Sequence, residues 1–143
     1  MDTVALAEAV KVELANPPLA FSQAFTPVRT YVATFTSADL NTLQVTVSPA
    51  TIERSNLSRS HRQVDRQVEV TVTKRVQGFD VAGIDALVNL VEEIADYLDN
   101  RALTTATGMK WFATEVLPYD EESLHSKHLF AALITLTYRA VQT

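Results

Sequence analysis

Between Asp80 and Leu98 the chain sets Ile84, Leu87, Val88, Val91, Ile94, Ala95 and Leu98 at the i, i+3, i+4, i+7 positions of a helix. With 3.6 residues per turn, that spacing gathers the apolar side chains on one stripe, which must be buried against a second element. Asp85, Glu92, Glu93, Asp96 and Asp99 fall on the other side. These residues dictate a core helix with an acidic outer surface, which Asp80 is placed to cap after the turn residues QGFD.

The partners for that stripe are strands. Over residues 64–76, Val64, Val68, Val70 and Val72 alternate with Asp65, Glu69, Thr71 and Thr73, the period of a half-buried strand. Arg66 interrupts the apolar side, so this strand is expected to leave the core before that point. Leu43, Val45 and Val47 form a second alternation, and Val28, Tyr31, Val32 and Phe35 suit a strand over residues 28–35. The TSADLN segment between them has turn chemistry, which implies a hairpin or meander.

Near the end of the chain, Phe130, Ile134, Leu136 and Tyr138 face one way while Leu129 and Leu133 are apolar on the other side. A strand with two apolar sides is expected to be central or covered by neighbours. MKWFATEVL, between Gly108 and Pro118, reads as a further strand that sends one ring of the Trp111–Phe112 pair into the core and the other toward a neighbour. YDEESLHSKH reads as a loop. At the start, Leu6, Ala7, Val10 and Leu14 predict a short amphipathic helix over residues 2–16, capped by Asp2 or Thr3 and ended by Pro17 and Pro18.

The order helix, three strands, helix, two strands gives a single α+β domain spanning residues 1–143: two helices on an antiparallel or mixed sheet of about five strands. Neither a repeat nor a low-complexity segment interrupts it. A chain of 143 residues can bury a core without staples, and it has no cysteine for disulfides or thiolate metal sites. Its apolar runs fall short of the roughly 20 residues that cross a bilayer. The start, MDTVALAEAV, lacks the basic region of a secretory signal, so a chain soluble where it is made is expected, with no membrane partner.

A formal net charge of −5 opposes coating of nucleic acid, which requires net or localised positive charge. Catalytic constellations are not evident. His125 and His128 lie three apart in HSKH with Asp120, Glu121 and Glu122 nearby, yet a third ligand at a recognisable spacing is missing, and a solvated loop is the plainer reading. His61 has only Asp65 at a short spacing and reads as a surface histidine. Gly78, Gly83 and Gly108 form no phosphate cradle, and no serine sits in a GxSxG elbow. The expectation is a protein without enzymatic activity, metal or cofactor.

One stretch is not needed for the core. RSNLSRSHRQVDRQVEVTVTKR begins with polar and cationic residues and ends in the strand of Val68, Val70 and Val72, so its first part reads as an arm, about residues 50–66, projecting beyond the sheet.

Taken in order, TPVRTYVATF, LQVTVSP, QVEVTVTKRV, DALVNLVEEIADYL and HLFAALITLTYRAV, preceded by a short helix ending in proline, resemble small neck and tail-completion proteins of tailed bacteriophages. The chain looks most like the tail terminator group, over nearly its whole length. The resemblance implies a structural protein of the virion tail and neck, assembled in the host cytoplasm. Such terminators form a hexameric ring on the last tail-tube ring, stop tube polymerisation and present the docking surface for head-completion proteins. Phage DNA passes through the lumen without sequence-specific binding.

Within that class, a head-tail stopper or adaptor is the alternative; from another class comes a nucleic-acid-binding regulator using the arginine-bearing stretch and Trp111. A ring gives the arm a role, because a heterologous interface lets each subunit donate one patch to the next. The expected pairing sets Arg54, Arg59, Arg62 and Arg66 of one subunit against Asp85, Glu92, Glu93, Asp96 or Asp99 of its neighbour. An arm lining the lumen is the weaker reading, since tight phosphate binding would hinder sliding DNA.

Overall fold

Alternation of apolar residues decides which side of the sheet meets the helices, and two long strands carry it. The computed structural model describes residues 2–17, 20–32, 34–78, 80–106 and 108–142; Pro18 and Phe79 lie outside them. β1 (Pro27–Arg29), β2 (Gln44–Asn56), β3 (Arg62–Arg75), β4 (Lys110–Leu117) and β5 (Leu129–Gln142) form one sheet in the order β1-β2-β3-β5-β4. β1 runs parallel to β2 and the other neighbours are antiparallel, so the sheet is mixed.

On β3 and β5 the even-numbered residues point to the helices: Val64, Val68, Val70, Val72, Phe130, Ala132, Ile134, Leu136 and Tyr138 are all buried. The odd-numbered residues between them, among them Asp65, Glu69, Thr135 and Thr137, are half-buried on the open side. As expected, β5 is internal, between β3 and β4.

The helices cover one side. α1 (Thr3–Ala15) is started by Asp2, whose Oδ1 accepts from the Ala5 amide at 2.7 Å, and it buries Leu6, Ala7, Val10 and Leu14 against β1, β2 and β3. α2 (Val81–Leu98) buries Leu87, Leu90, Val91, Ile94, Ala95 and Leu98 and packs on β5, while Ile84 and Val88 are half-buried. Each large aliphatic side chain so buried contributes roughly 1.5–3 kcal/mol. Asp80 holds the N-cap position, but among the described residues its side chain makes no capping hydrogen bond; its carbonyl accepts from the Ile84 amide at 3.0 Å.

A buried carboxylate ties the helices together. Glu13, 7 % exposed on α1, accepts from the Thr104 amide at 2.7 Å and from its hydroxyl at 2.5 Å, in the segment after α2. Tyr97 of α2 donates its hydroxyl to the Glu13 carbonyl at 3.1 Å; its ring meets Phe21 edge-on at 5.5 Å and lies under the Arg101 guanidinium at 3.9 Å.

Four expectations are corrected. The strand over residues 28–35 shrinks to Pro27–Arg29, and Val28, Tyr31 and Val32 are exposed; β propensity acts only where a neighbouring strand receives the residue. The TSADLN turn forms, with Thr36 and Asp39 exchanging amide-to-side-chain bonds of 3.0 and 3.2 Å ahead of a short 3-10 turn. It nevertheless sits in a connection, residues 30–43, long enough to bring β2 back parallel to β1, so there is no hairpin.

The loop at YDEESLHSKH contains α3 (Glu121–Lys127), closed by His128 in the left-handed region. Its acidic first turn and basic last turn suit the helix dipole, a cue independent of apolar periodicity. Finally, β3 does not leave the core before Arg66. Val64 is fully buried beyond it, because the Arg66 stem packs within the helix side while Nε donates to the Thr3 hydroxyl at 3.3 Å.

Tyr138 offers a contrast with the apolar core. Burial pushes its phenol well above the ordinary range, and among the described residues the hydroxyl has no hydrogen-bond partner. Tyr138→Phe should therefore change stability by less than about 1 kcal/mol, because only an unpaired hydroxyl is removed. Ile94→Ala should cost about 2–5 kcal/mol through cavity formation. Urea unfolding of both variants checks the pair.

Candidate assembly interface

β2 and β3 run on together past the helices as a hairpin. Pairing continues beyond a register shift between Pro49 and Ile52 as far as Asn56 and Arg62. Residues 51–62 are all exposed, while the inner half of the hairpin lies in the core. The tip is stitched to itself: the amides of Leu57 and Ser58 donate to the His61 carbonyl at 3.1 and 3.2 Å, and the Ser58 and Ser60 hydroxyls lie 3.2 and 3.1 Å from His61 Nδ1.

Residues directly opposed in an antiparallel pair share a side of the sheet. Ile52 faces Arg66, Arg54 faces Val64 and Asn56 faces Arg62, so Ile52, Arg54, Asn56 and Arg62 all stand on the helix side, beyond the helices. Arg59 is in the exposed tip. Arg66 is different in kind: it is 5 % exposed, and its Nη1 lies 3.9 Å from Met109 Sδ. Its burial leaves Arg54, Arg59 and Arg62 as the cations on the surface of the hairpin.

The acidic residues also divide. Asp85, Glu92, Asp96 and Asp99 are exposed at helical intervals of seven, four and three, which form one stripe of α2. Glu93 is turned aside and half-buried, accepting from the Ser22 amide at 2.9 Å and from the Ser22 hydroxyl. Glu92, Asp96 and Asp99 form the rim of a cleft of about 430 Å³, completed by Ala95, Thr114, Val116 and Pro118. The cleft runs along β4, the strand at one edge of the sheet.

Sequence periodicity located the stripe and the cations. It missed Thr114 and Val116, which lie in a strand whose alternation is broken by a register shift between Trp111 and Ala113, and Pro118 just beyond its end. The helix-side positions Trp111, Thr114 and Val116 are half-buried, whereas Phe112, Ala113, Glu115 and Leu117 are exposed. The aromatic pair divides as expected. Trp111 packs on the core and donates Nε1 to the Thr114 hydroxyl at 2.7 Å, while Phe112 lies under the Arg139 guanidinium at 3.5 Å. Arg139 in turn donates Nε and Nη2 to the Asp65 carboxylate at 2.8 and 3.0 Å.

Among the described residues no ion pair joins the hairpin cations to the acidic cleft within one chain. Three strand spacings separate β2 from β4, roughly 14 Å across the sheet, and the hairpin projects past its end. A second cleft, about 560 Å³, is lined by Asn41, Lys74, Arg75, Val76, Gln77, Asp80, Gly83, Ile84 and Leu87. Among the described residues no group of three His, Asp or Glu side chains is placed to hold a metal ion, and no helix is long and apolar enough to cross a membrane.

The two kinds of arginine should respond differently to charge reversal. Arg66→Glu places an acid in the core side and should lower stability by about 3 kcal/mol or more, whereas Arg59→Glu, on an exposed turn, should stay within about 0.5 kcal/mol. Thermal melts of the two variants at one pH test this.

No family model matches the chain, and no curated protein does. Among solved structures it is similar to the sheath/tube terminator, in the extended state, of an extracellular contractile injection system, PVC, at 15 % identity and a TM-score of 0.40. The match covers all of this chain and 57 % of that one.

Proposed function

We propose that this protein is a structural assembly module, a tail terminator that closes a tail tube as a hexameric ring. In this reading it ends tube polymerisation and offers the docking surface for head-completion proteins, with DNA passing through the lumen. The observation that carries the reading is the placement of opposite charges toward opposite edges of the sheet, on the same helix side. The hairpin cations Arg54, Arg59 and Arg62 and the stripe of Asp85, Glu92, Asp96 and Asp99 are complementary, and among the described residues no ion pair joins them within the chain, which supports their engagement between chains.

A patch that complements a different patch on the same molecule makes a heterologous contact. Such contacts close into a ring when the rotation between subunits divides a full turn. The element order seen in the sequence supplies the rest: it resembles tail terminators, and the proposed ring size and partners come from that resemblance.

Native mass spectrometry or light scattering tests the ring. A species of about six chain masses, or a monomer that becomes a ring only on tail tubes, supports the reading; a stable monomer that shifts duplex DNA at physiological salt overturns it. Charge reversal tests the pairing. Arg54→Glu and Asp96→Arg should each weaken assembly by about tenfold or more, as rim charges placed like against like do, and the double variant should recover most of it. A double variant as defective as the singles removes Arg54 and Asp96 from the interface.

A further inference from the structure

The sheet has two open edges of unequal kind. β1 covers only Val45–Val47 of β2, with the Thr30 amide adding a bond to the Val47 carbonyl at 2.9 Å. Beyond that, among the described residues, nothing pairs with the outer half of β2 on that side. At the opposite edge, β4 pairs only with β5 along Lys110–Leu117. Neither stretch, residues 51–56 or 110–117, contains a proline to block pairing, and an open edge is a template for a further strand.

We infer that the outer half of β2 in one copy of this chain adds to the open edge of β4 in the next, so that the sheets of neighbouring subunits are continuous. The inference rests on the ring proposed above and specifies how that ring is closed. Three features of the register define the junction, in which Glu53 falls opposite Glu115 on the open side and the helix-side contacts must outweigh that like-charge pair.

The first is strand direction. β2, β3, β5 and β4 alternate, so β2 and β4 point opposite ways. Rotation about a ring axis preserves each strand's axial direction, and the junction is therefore antiparallel.

The second is side-chain parity. In a continued sheet the helix side stays the helix side. Ile52 and Arg54, two apart on that side of β2, then meet Thr114 and Val116, two apart on that side of β4. Ile52, 44 % exposed in the single chain, comes against the apolar floor of Ala95, Val116 and Pro118, and Arg54 reaches the carboxylates of Glu92, Asp96 and Asp99.

The third is stagger. Arg54 is level with Val64 and Ala140 and its partner Thr114 with Leu136, while Ile52 is level with Arg66 and Tyr138 and its partner Val116 with Ile134, an offset of four residues along β5 in both pairs. At about 3.3 Å per residue, spread over four strands about 4.8 Å apart, that offset tilts the strands by roughly 35° to the ring axis. Closed sheets require tilts of this size.

Because the chain has no cysteine, introduced thiols report on the junction directly. Ser55→Cys chains are mixed with Ala113→Cys or Glu115→Cys chains, all on the open side, and oxidised after assembly. These pairs should form disulfide-linked dimers, while Ser55→Cys with Thr114→Cys or Val116→Cys, whose side chains point to opposite sides, should not. Rings of full mass in which no open-side pair cross-links, or in which both kinds link equally, overturn the junction and leave the ring proposal standing. A chain that never assembles overturns both. Hydrogen exchange on the unmodified chain guards against misfolded variants: amides of residues 51–56 and 110–117 should slow about tenfold or more on assembly, and unchanged rates overturn the junction.

Discussion

The ladder between β3 and β5 is the constraint on which the rest depends. It runs unbroken from Arg62 opposite Gln142 to Arg75 opposite Leu129, and it locks the parity of both strands together. A slip of one residue would turn every buried valine of β3 to the open side and every threonine and carboxylate inward. Everything else is attached to this pair: β2 follows β3, β4 follows β5, and the helices lie on the side where the even residues gather.

The same ladder explains why Arg66 is tolerated. An arginine in a strand's apolar file would normally end burial. Here Val64 beyond it is held in register by Ala140 and by Arg54, so the guanidinium takes partners in Thr3 and Met109 while its methylenes fill the layer. The hairpin thus leaves the core later than its composition suggests, and its projecting part is the exposed run 51–62.

Most of the fold was legible in the residues. Helical periodicity located α1 and α2, and alternation located β3 and β5, because in those elements burial on one side is the dominant energy. What escaped the sequence depended on partners distant along the chain. Val28, Tyr31 and Val32 have strand-forming side chains but no strand beside most of them. α3 carries end charges that suit its dipole and shows no apolar stripe. Of the interface, the charged residues were visible, yet their sorting was not: only the structure turns Glu93 toward Ser22 and buries Arg66. The apolar floor of the cleft was hidden by the irregularity at Phe112.

Glu13 has a consequence for how the molecule opens. One carboxylate on α1 receives the amide and hydroxyl of Thr104, and the carbonyl of the same residue receives Tyr97. Drawing α1 off the sheet strands these donors together, so the first helix and the segment following α2 form one cooperative unit although some ninety residues separate them. Loosening α1 therefore removes the acceptors of both Thr104 and Tyr97, the latter in the last turn of α2 near Asp96 and Asp99.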